Sequence, residues 1–220
     1  MKASFRRCLL EFAAAAVLLA GASSPARSDE PSFPLFNEWW QWAMSIPAAV
    51  NPILDNTGQR CALGQRGNLW FLAGNTGGTS VRECTIPLHT RVLIPLHNTF
   101  CFPDADFTAG QCFDAVAQDF STFTFADAWV DGRSIGGGQV PDANLVEQFP
   151  VTGESTFTFA IPKNGLFGFK AGLHRSTVAA GRWAFAGFDT PGQHTLRVRS
   201  RSTTGFVLDV TYRLTVVEVN

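Results

Sequence analysis

The sequence predicts an all-β protein: an antiparallel β-sandwich, Ig-like or jelly-roll, with one N-terminal aromatic helix. Three observations predict it. Long segments alternate apolar with polar residues, as where Phe206, Leu208, Val210, Tyr212, Leu214 and Val216 oppose Asp209, Thr211, Arg213 and Thr215. Phe is frequent, 20 of 220 residues, and the aromatic and β-branched runs are divided by Gly and Pro, which favours sheet over helix. Third, Cys61 to Pro95 reads as a β-meander pinned by a cysteine pair. It holds a strand from Asn68 to Ala73, a glycine turn (Gly74, Gly77, Gly78), a strand carrying Cys84 and a strand ending at Pro95. Roughly eight to ten strands are expected, a count usual for such domains.

Residues 1–28 are expected to be a signal peptide. Lys2, Arg6 and Arg7 precede an apolar run from Leu9 to Ala22 broken only by Glu11, and Ala26 and Ser28 supply small residues for cleavage. The run falls short of the roughly 20 residues of a membrane span, and no cysteine follows it to carry lipid. The mature chain then begins at Asp29, and 29–220 form a single exported domain, periplasmic or secreted, with no membrane span. Losing Lys2, Arg6, Arg7, Arg27 and Glu11 from 17 basic and 18 acidic residues leaves a net charge of −4, which argues against nucleic acid as a partner.

Cleavage also removes Cys8. The remaining Cys61, Cys84, Cys101 and Cys112 allow three disulfide pairings in an oxidising compartment. We favour Cys61 with Cys84 and Cys101 with Cys112, the second closing a short polar loop with little else to hold it. Zinc is the alternative, but no C-x-x-C spacing is present and thiolates oxidise in such a compartment. No metal and no cofactor are expected.

In chain order, Phe33 to Met44 is a helix whose Phe36, Trp39, Trp40 and Ala43 fall at i, i+3, i+4 and i+7, stopped by Pro47. Trp39, Trp40 and Trp42 are either an aromatic platform for sugar rings or a helix covering one end of the sandwich. The stripe favours covering, with Trp42, off the stripe, the one expected to be exposed. Asn51 to Gly58 is a connector in which Asp55, Asn56, Thr57 and Gly58 resemble the D-T-G of aspartic proteases. An Asn intervenes and no second copy exists, so a side-chain-capped turn is expected.

In the third strand His97 should emerge at the end beside Asn98, facing solvent or hydrogen-bonded. With His89 it is at most half a metal site. Phe113 to Phe120 is expected as a short helix, Thr122 to Val130 and Arg133 to Ile135 as a hairpin on Asp131-Gly132, and Gly136 to Asn144 as a loop. The hexapeptide STFTFA occurs at Ser121 to Ala126 and at Ser155 to Ala160, each reading as a half-buried strand. Thr177 to Phe188 is a strand that turns on Thr190-Pro191-Gly192. The next sets His194, Leu196 and Val198 inward, His194 as a buried neutral histidine, with Gln193, Thr195, Arg197 and Arg199 outward. Arg197, Arg199 and Arg201 form a basic ladder, either a solvated face or a grip for an anionic glycan.

The segments WWQWAMSIP, NPILDNTGQRC, GQRGNLWFLAGNTGG, RECTIP and VLIP, with PGQHTL and FVLDVTYRLTV, span most of the mature chain. In them the chain resembles a family of uncharacterised secreted bacterial proteins, most specifically in a WFLAG-x-x-GG…C-T-I-P core motif. The resemblance implies export and a compact domain, and it transfers no catalytic residue.

Two functions remain open. One is a non-catalytic binding or structural module of the envelope or extracellular space, its ligand a carbohydrate or an envelope protein. The other is a secreted jelly-roll hydrolase acting on a polysaccharide through two carboxylates. Asp127, Asp131, Glu147, Glu154 and Asp189 are scattered without a pair, so binding is favoured. Trp39, Trp40, Trp42 and His97 are the candidate ligand-binding residues.

Overall fold

The computed structural model describes residues 33–139 and 156–219, so the expected signal peptide at 1–28, residues 140–144 of the expected loop, and Glu147 and Glu154 lie outside the described residues. Helix α1 (Phe33–Ser45) is followed by β1 (Leu69–Phe71), β2 (Gly78–Pro87), β3 (Thr90–Cys101) and helix α2 (Ala109–Ser121). Then come β4 (Phe123–Val130), β5 (Arg133–Gln139), β6 (Phe157–Ile161), β7 (Gly172–Phe188), β8 (Gly192–Ser202) and β9 (Val207–Val217). They form two facing sheets, ordered β1-β3-β7-β6 and β2-β9-β8-β4-β5. The expected all-β sandwich with an N-terminal helix is the observed architecture. Its sheets are mixed, because β1 pairs parallel to β3 and β2 pairs parallel to β9.

Those parallel pairs replace the expected meander. β1 and β3 lie in one sheet, whereas β2, between them in sequence, lies in the other. Alternation fixes which face of a strand is apolar but not which strand lies beside it. In β2 it turns Ser80, Arg82, Cys84 and Ile86 inward, and Arg82 stands in register with Tyr212 of β9. Leu72, Ile86, Val92, Ile94, Leu196, Val198, Val210 and Leu214 then fill the space between the sheets, each essentially excluded from water.

Helix α1 is a third layer. Phe36, Trp39 and Trp40 pack on Leu93 of β3, Phe157 and Phe159 of β6, and Trp183 and Phe185 of β7. The stripe therefore covers the outer face of the four-stranded sheet, not one end of the sandwich. Each such aromatic contributes about 1.5–3 kcal/mol by leaving water. Trp42 contradicts its expected exposure: it is 8% exposed and its Nε1 donates to Leu63 O at 2.9 Å. The loop after α1 folds back over the helix, so a second face of α1 is buried as well. Asn51 closes the helix end, its Nδ2 donating to Ala43 O and Ile46 O at 2.8 and 2.9 Å, where terminal carbonyls otherwise lack donors.

Disulfides join Cys61 to Cys84 and Cys101 to Cys112, the pairing favoured from the sequence. Helix α2 is longer than expected and starts on a capping box between Thr108 and Gln111. Asp131 and Gly132 adopt φ of 49° and 79° in the β4–β5 turn, the left-handed pair a two-residue hairpin requires. β5 continues to Gln139, so Gly136 to Gln139 extend a strand instead of opening the expected loop. The two STFTFA copies diverge: the first ends α2 and begins β4, and the second enters β6 in the opposite sheet. In the Asp55 turn, the N–H and Oγ1 of Thr57 donate to Asp55 Oδ1 at 2.9 and 2.6 Å, as expected of a side-chain-capped turn.

Candidate functional site

The site originates where β1 stops. The last rung between β1 and β3 is Leu72 N–H donating to Leu93 O at 3.0 Å, after which the chain turns away. Arg82 holds it there. Its Nη1 donates to Ala73 O at 2.8 Å, Gly74 O at 3.2 Å and the Tyr212 hydroxyl at 2.8 Å, and its Nη2 donates to Ile53 O at 3.1 Å. The Tyr212 hydroxyl donates in turn to Ala73 O at 2.9 Å. Burial holds the Tyr212 phenol above its ordinary pKa of 10.0, against the opposing Arg82 charge, so it stays a hydroxyl. A guanidinium 1% exposed among carbonyls satisfies the backbone of a bend that no strand pairs.

Among the described residues, no strand pairs with β3 on this side beyond Leu93. A cleft of about 240 Å³ occupies the vacated space. Pro95 to Phe100 run along it, Trp39 and Trp40 wall it from the α1 layer, and Leu208 of β9 with Phe206 of the preceding turn wall it from the side of the five-stranded sheet. Thr76 and Phe167 are the exposed residues of its lining, and Phe167 is 52% exposed on a backbone with φ of 59°. Non-glycine residues hold that conformation at a cost, and such residues concentrate at ligand clamps.

Of the four candidate ligand-binding residues, the cleft unites Trp39, Trp40 and His97 and excludes Trp42. Trp39 is committed structurally: it is 1% exposed and its Nε1 donates to Leu72 O at 2.9 Å. His97 corrects the expectation of a solvent-facing or hydrogen-bonded side chain. It is 7% exposed, stacked on Phe120 and Phe123, and its Nε2 has no hydrogen-bond partner. The cause is a bulge: Pro95 pairs with Trp183 and His97 with Arg182, leaving Leu96 as the extra residue. One inserted residue exchanges the faces of everything after it. Burial pushes the His97 imidazole down to about 3, so it is neutral at physiological pH. Trp40 Nε1 and Asn98 Nδ2 are likewise shielded from water without a partner.

The remaining polar candidates lie elsewhere. His89 sits on the surface beside Asp189 at 3.0 Å, apart from the buried His97. His194 Nδ1 lies 2.7 Å from Asp131 Oδ2, and its Nε2 lies 2.9 Å from Thr190 O. The hydrogen bond with Asp131 raises its pKa, and the ring is half-buried against that carboxylate, not enclosed in the apolar face as expected. The arginine ladder is already occupied. Arg197 grips Asp209 with Nε at 2.9 Å and Nη2 at 2.7 Å, Arg199 joins at 3.3 Å, and Arg201 lies over the Phe125 ring. Asp127 accepts from Ala128 N–H and Ser134 Oγ within its hairpin. Among the described residues, no three His, Cys, Asp or Glu side chains gather where a metal would bind.

Sequence reasoning missed Arg82, Phe100, Phe167 and Phe206. For Arg82 the signal was its place on the Cys84 and Ile86 face of β2, and for the cleft it was Pro95 within an apolar run, since proline interrupts a central strand. No family model matches the chain, and neither a curated protein nor a solved structure does.

Proposed function

We propose that this chain is an exported, non-catalytic binding module whose ligand occupies the cleft beside β3. One observation carries it: an uncharged, aromatic-walled cleft of about 240 Å³ that unites Trp39, Trp40 and His97 along a stretch of β3 paired on one edge only. Such a site buries an apolar group and keeps a few polar atoms to orient it. Among the described residues its lining has no Asp or Glu, and glycoside hydrolysis draws on two; this supports binding over the hydrolase alternative. Two disulfides and the leader-like segment at 1–28 support delivery to the periplasm or beyond.

The test is equilibrium binding by tryptophan fluorescence against oligosaccharide and peptide panels, with hydrolysis assayed on the same oligosaccharides. A ligand bound by the mature protein, lost in Thr76→Trp and left chemically unchanged is the expected result. Binding that survives Thr76→Trp would move the site away from the cleft, and glycosidic cleavage would install the hydrolase in its place.

A further inference from the structure

We propose that the cleft is an open strand slot, and that its ligand is an uncharged extended peptide segment added as a strand beside Pro95–Phe100. The inference rests on the binding reading above and names the ligand class.

The geometry points to backbone recognition. Six consecutive residues, Pro95 to Phe100, line the cleft. A strand that lined a cavity with one face would contribute every second residue. Unbroken participation means that the cleft follows the strand's edge, where the main-chain N–H and C=O groups lie. β1 occupies that edge only from Arg91 to Leu93, and Arg82 draws the following residues, Ala73 and Gly74, off the sheet. The slot is the path β1 would have taken.

The register shows which groups are on offer. Arg91 N–H donates to Asn68 O at 2.7 Å, and Leu93 O accepts from Leu72 N–H, so odd-numbered residues direct their backbone toward β1 before the bulge. Pro95 is next in that series and has no N–H, the one residue that leaves no donor stranded on an open edge. The bulge between Pro95 and His97 shifts the phase, which turns the backbone of Asn98 and Phe100 toward the slot. An added strand therefore meets the Pro95 carbonyl and both main-chain groups of Asn98 and Phe100, the mode by which extended peptides extend a sheet.

Size and chemistry select the segment. At a rise of about 3.3 Å, a strand spacing of about 4.8 Å and a sheet thickness of about 10 Å, one strand residue fills about 160 Å³. A cleft of about 240 Å³ is thus of the scale of a strand residue and not of a whole strand, and Phe167 is its exposed aromatic. The lining contains no Lys, Arg, Asp or Glu, so a charged side chain would be desolvated there without a partner. An aliphatic or aromatic side chain instead meets Trp39 and Trp40 on one side, or Phe206 and Leu208 on the other.

The experiment pans random hexapeptides displayed on phage against the mature protein and against Thr76→Trp, which places an indole in the mouth from an exposed turn. The best binder is then synthesised with each amide N-methylated in turn. We expect sequences uncharged at their centre, enriched on the mature protein and not on Thr76→Trp. Methylating alternate amides should weaken binding roughly tenfold and methylating the intervening ones should leave it intact, since only alternate amides face the edge. Phe167→Ala, on the exposed rim, should weaken the same peptides and keeps the test valid should Thr76→Trp fail to fold. Equal tolerance at every amide, or binding undiminished in both variants, would overturn the strand slot. Oligosaccharide binding lost in Thr76→Trp without any peptide enrichment would overturn the peptide and leave the binding reading standing. Binding of neither class would overturn both.

Discussion

Trp39 is the point at which the helix layer, the last rung of β1 and the cleft meet, so truncating it should reach all three. The indole is 1% exposed and packs edge-on against Trp40, Trp42 and Trp183 with centroids 5.0, 5.8 and 5.2 Å away. Trp39→Ala deletes that volume, for which buried Trp truncations cost about 3–5 kcal/mol. It also removes the donor to Leu72 O, and an orphaned buried acceptor adds about 1–3 kcal/mol. We expect a total near 5 kcal/mol, a large part of the 5–15 kcal/mol typical of a whole domain. The melting temperature should fall by roughly 10–20 °C. Trp39→Phe keeps most of the packing and loses only the hydrogen bond, so it should cost about 1–3 kcal/mol. Trp42→Ala should cost about 3 kcal/mol, because Trp42 is buried and bonded to Leu63 O. Urea denaturation followed by far-UV circular dichroism measures all three without relying on the tryptophans removed. A Trp39→Ala loss below about 1 kcal/mol at an unchanged slope would refute the docking of α1 on the four-stranded sheet.

Two further outcomes follow from local geometry. The hydrogen bond with Asp131 raises His194 above its ordinary 6.5, so the protonated ring stabilises the fold below that pH and the contribution is lost as pH rises through the raised value. On Asp131 burial pushes upward, but bonds from His194 and from the Thr195 N–H outweigh it and hold the carboxyl below 3.8; its contribution is lost only as pH falls through that lowered value. Thermal melts should therefore decline as pH rises above 6.5, and a His194→Gln variant with the same decline would disprove the pair's role. Gly58 has φ of +87° and an added Cβ would collide with the backbone N and O of Glu83. Gly58→Ala should accordingly lose at least about 2 kcal/mol by urea titration, and a loss under about 0.5 kcal/mol would contradict that packing.

Local pattern was legible where the physics is local. The spacing of Phe36, Trp39, Trp40 and Ala43 encodes a helix with a buried stripe, Asp131-Gly132 encodes a hairpin, and Leu208 to Val216 encode one inward face. Partner choice was not legible. β2 binds β9 in parallel across a long stretch of sequence, and nothing in the alternation of Val81, Glu83 and Thr85 against Ser80, Arg82 and Cys84 names that neighbour. Trp42 was misplaced because helical periodicity identifies one buried side, while the loop carrying Leu63 buries a second. His97 was misplaced because counting by twos fails once Leu96 bulges. Trp39, Trp40 and His97 were each singled out from their residue types. That they share one cleft depends on where β1 ends, which the Arg82 guanidinium decides.

The pairing of β2 with β9 governs the order in which this molecule can assemble. Gly78 finds its neighbour only at Leu208, and β8 and β4 reach β2 only through β9. The five-stranded sheet therefore cannot close until β9 has emerged, and an amino-terminal fragment that stops short of β9 leaves exposed the edge of β2 that β9 covers. Such distant pairing places folding in the slow regime of milliseconds to seconds, because loop closure is paid in entropy before any contact repays it. Until β9 is available, the edge of β2 that it covers stays open to any other strand.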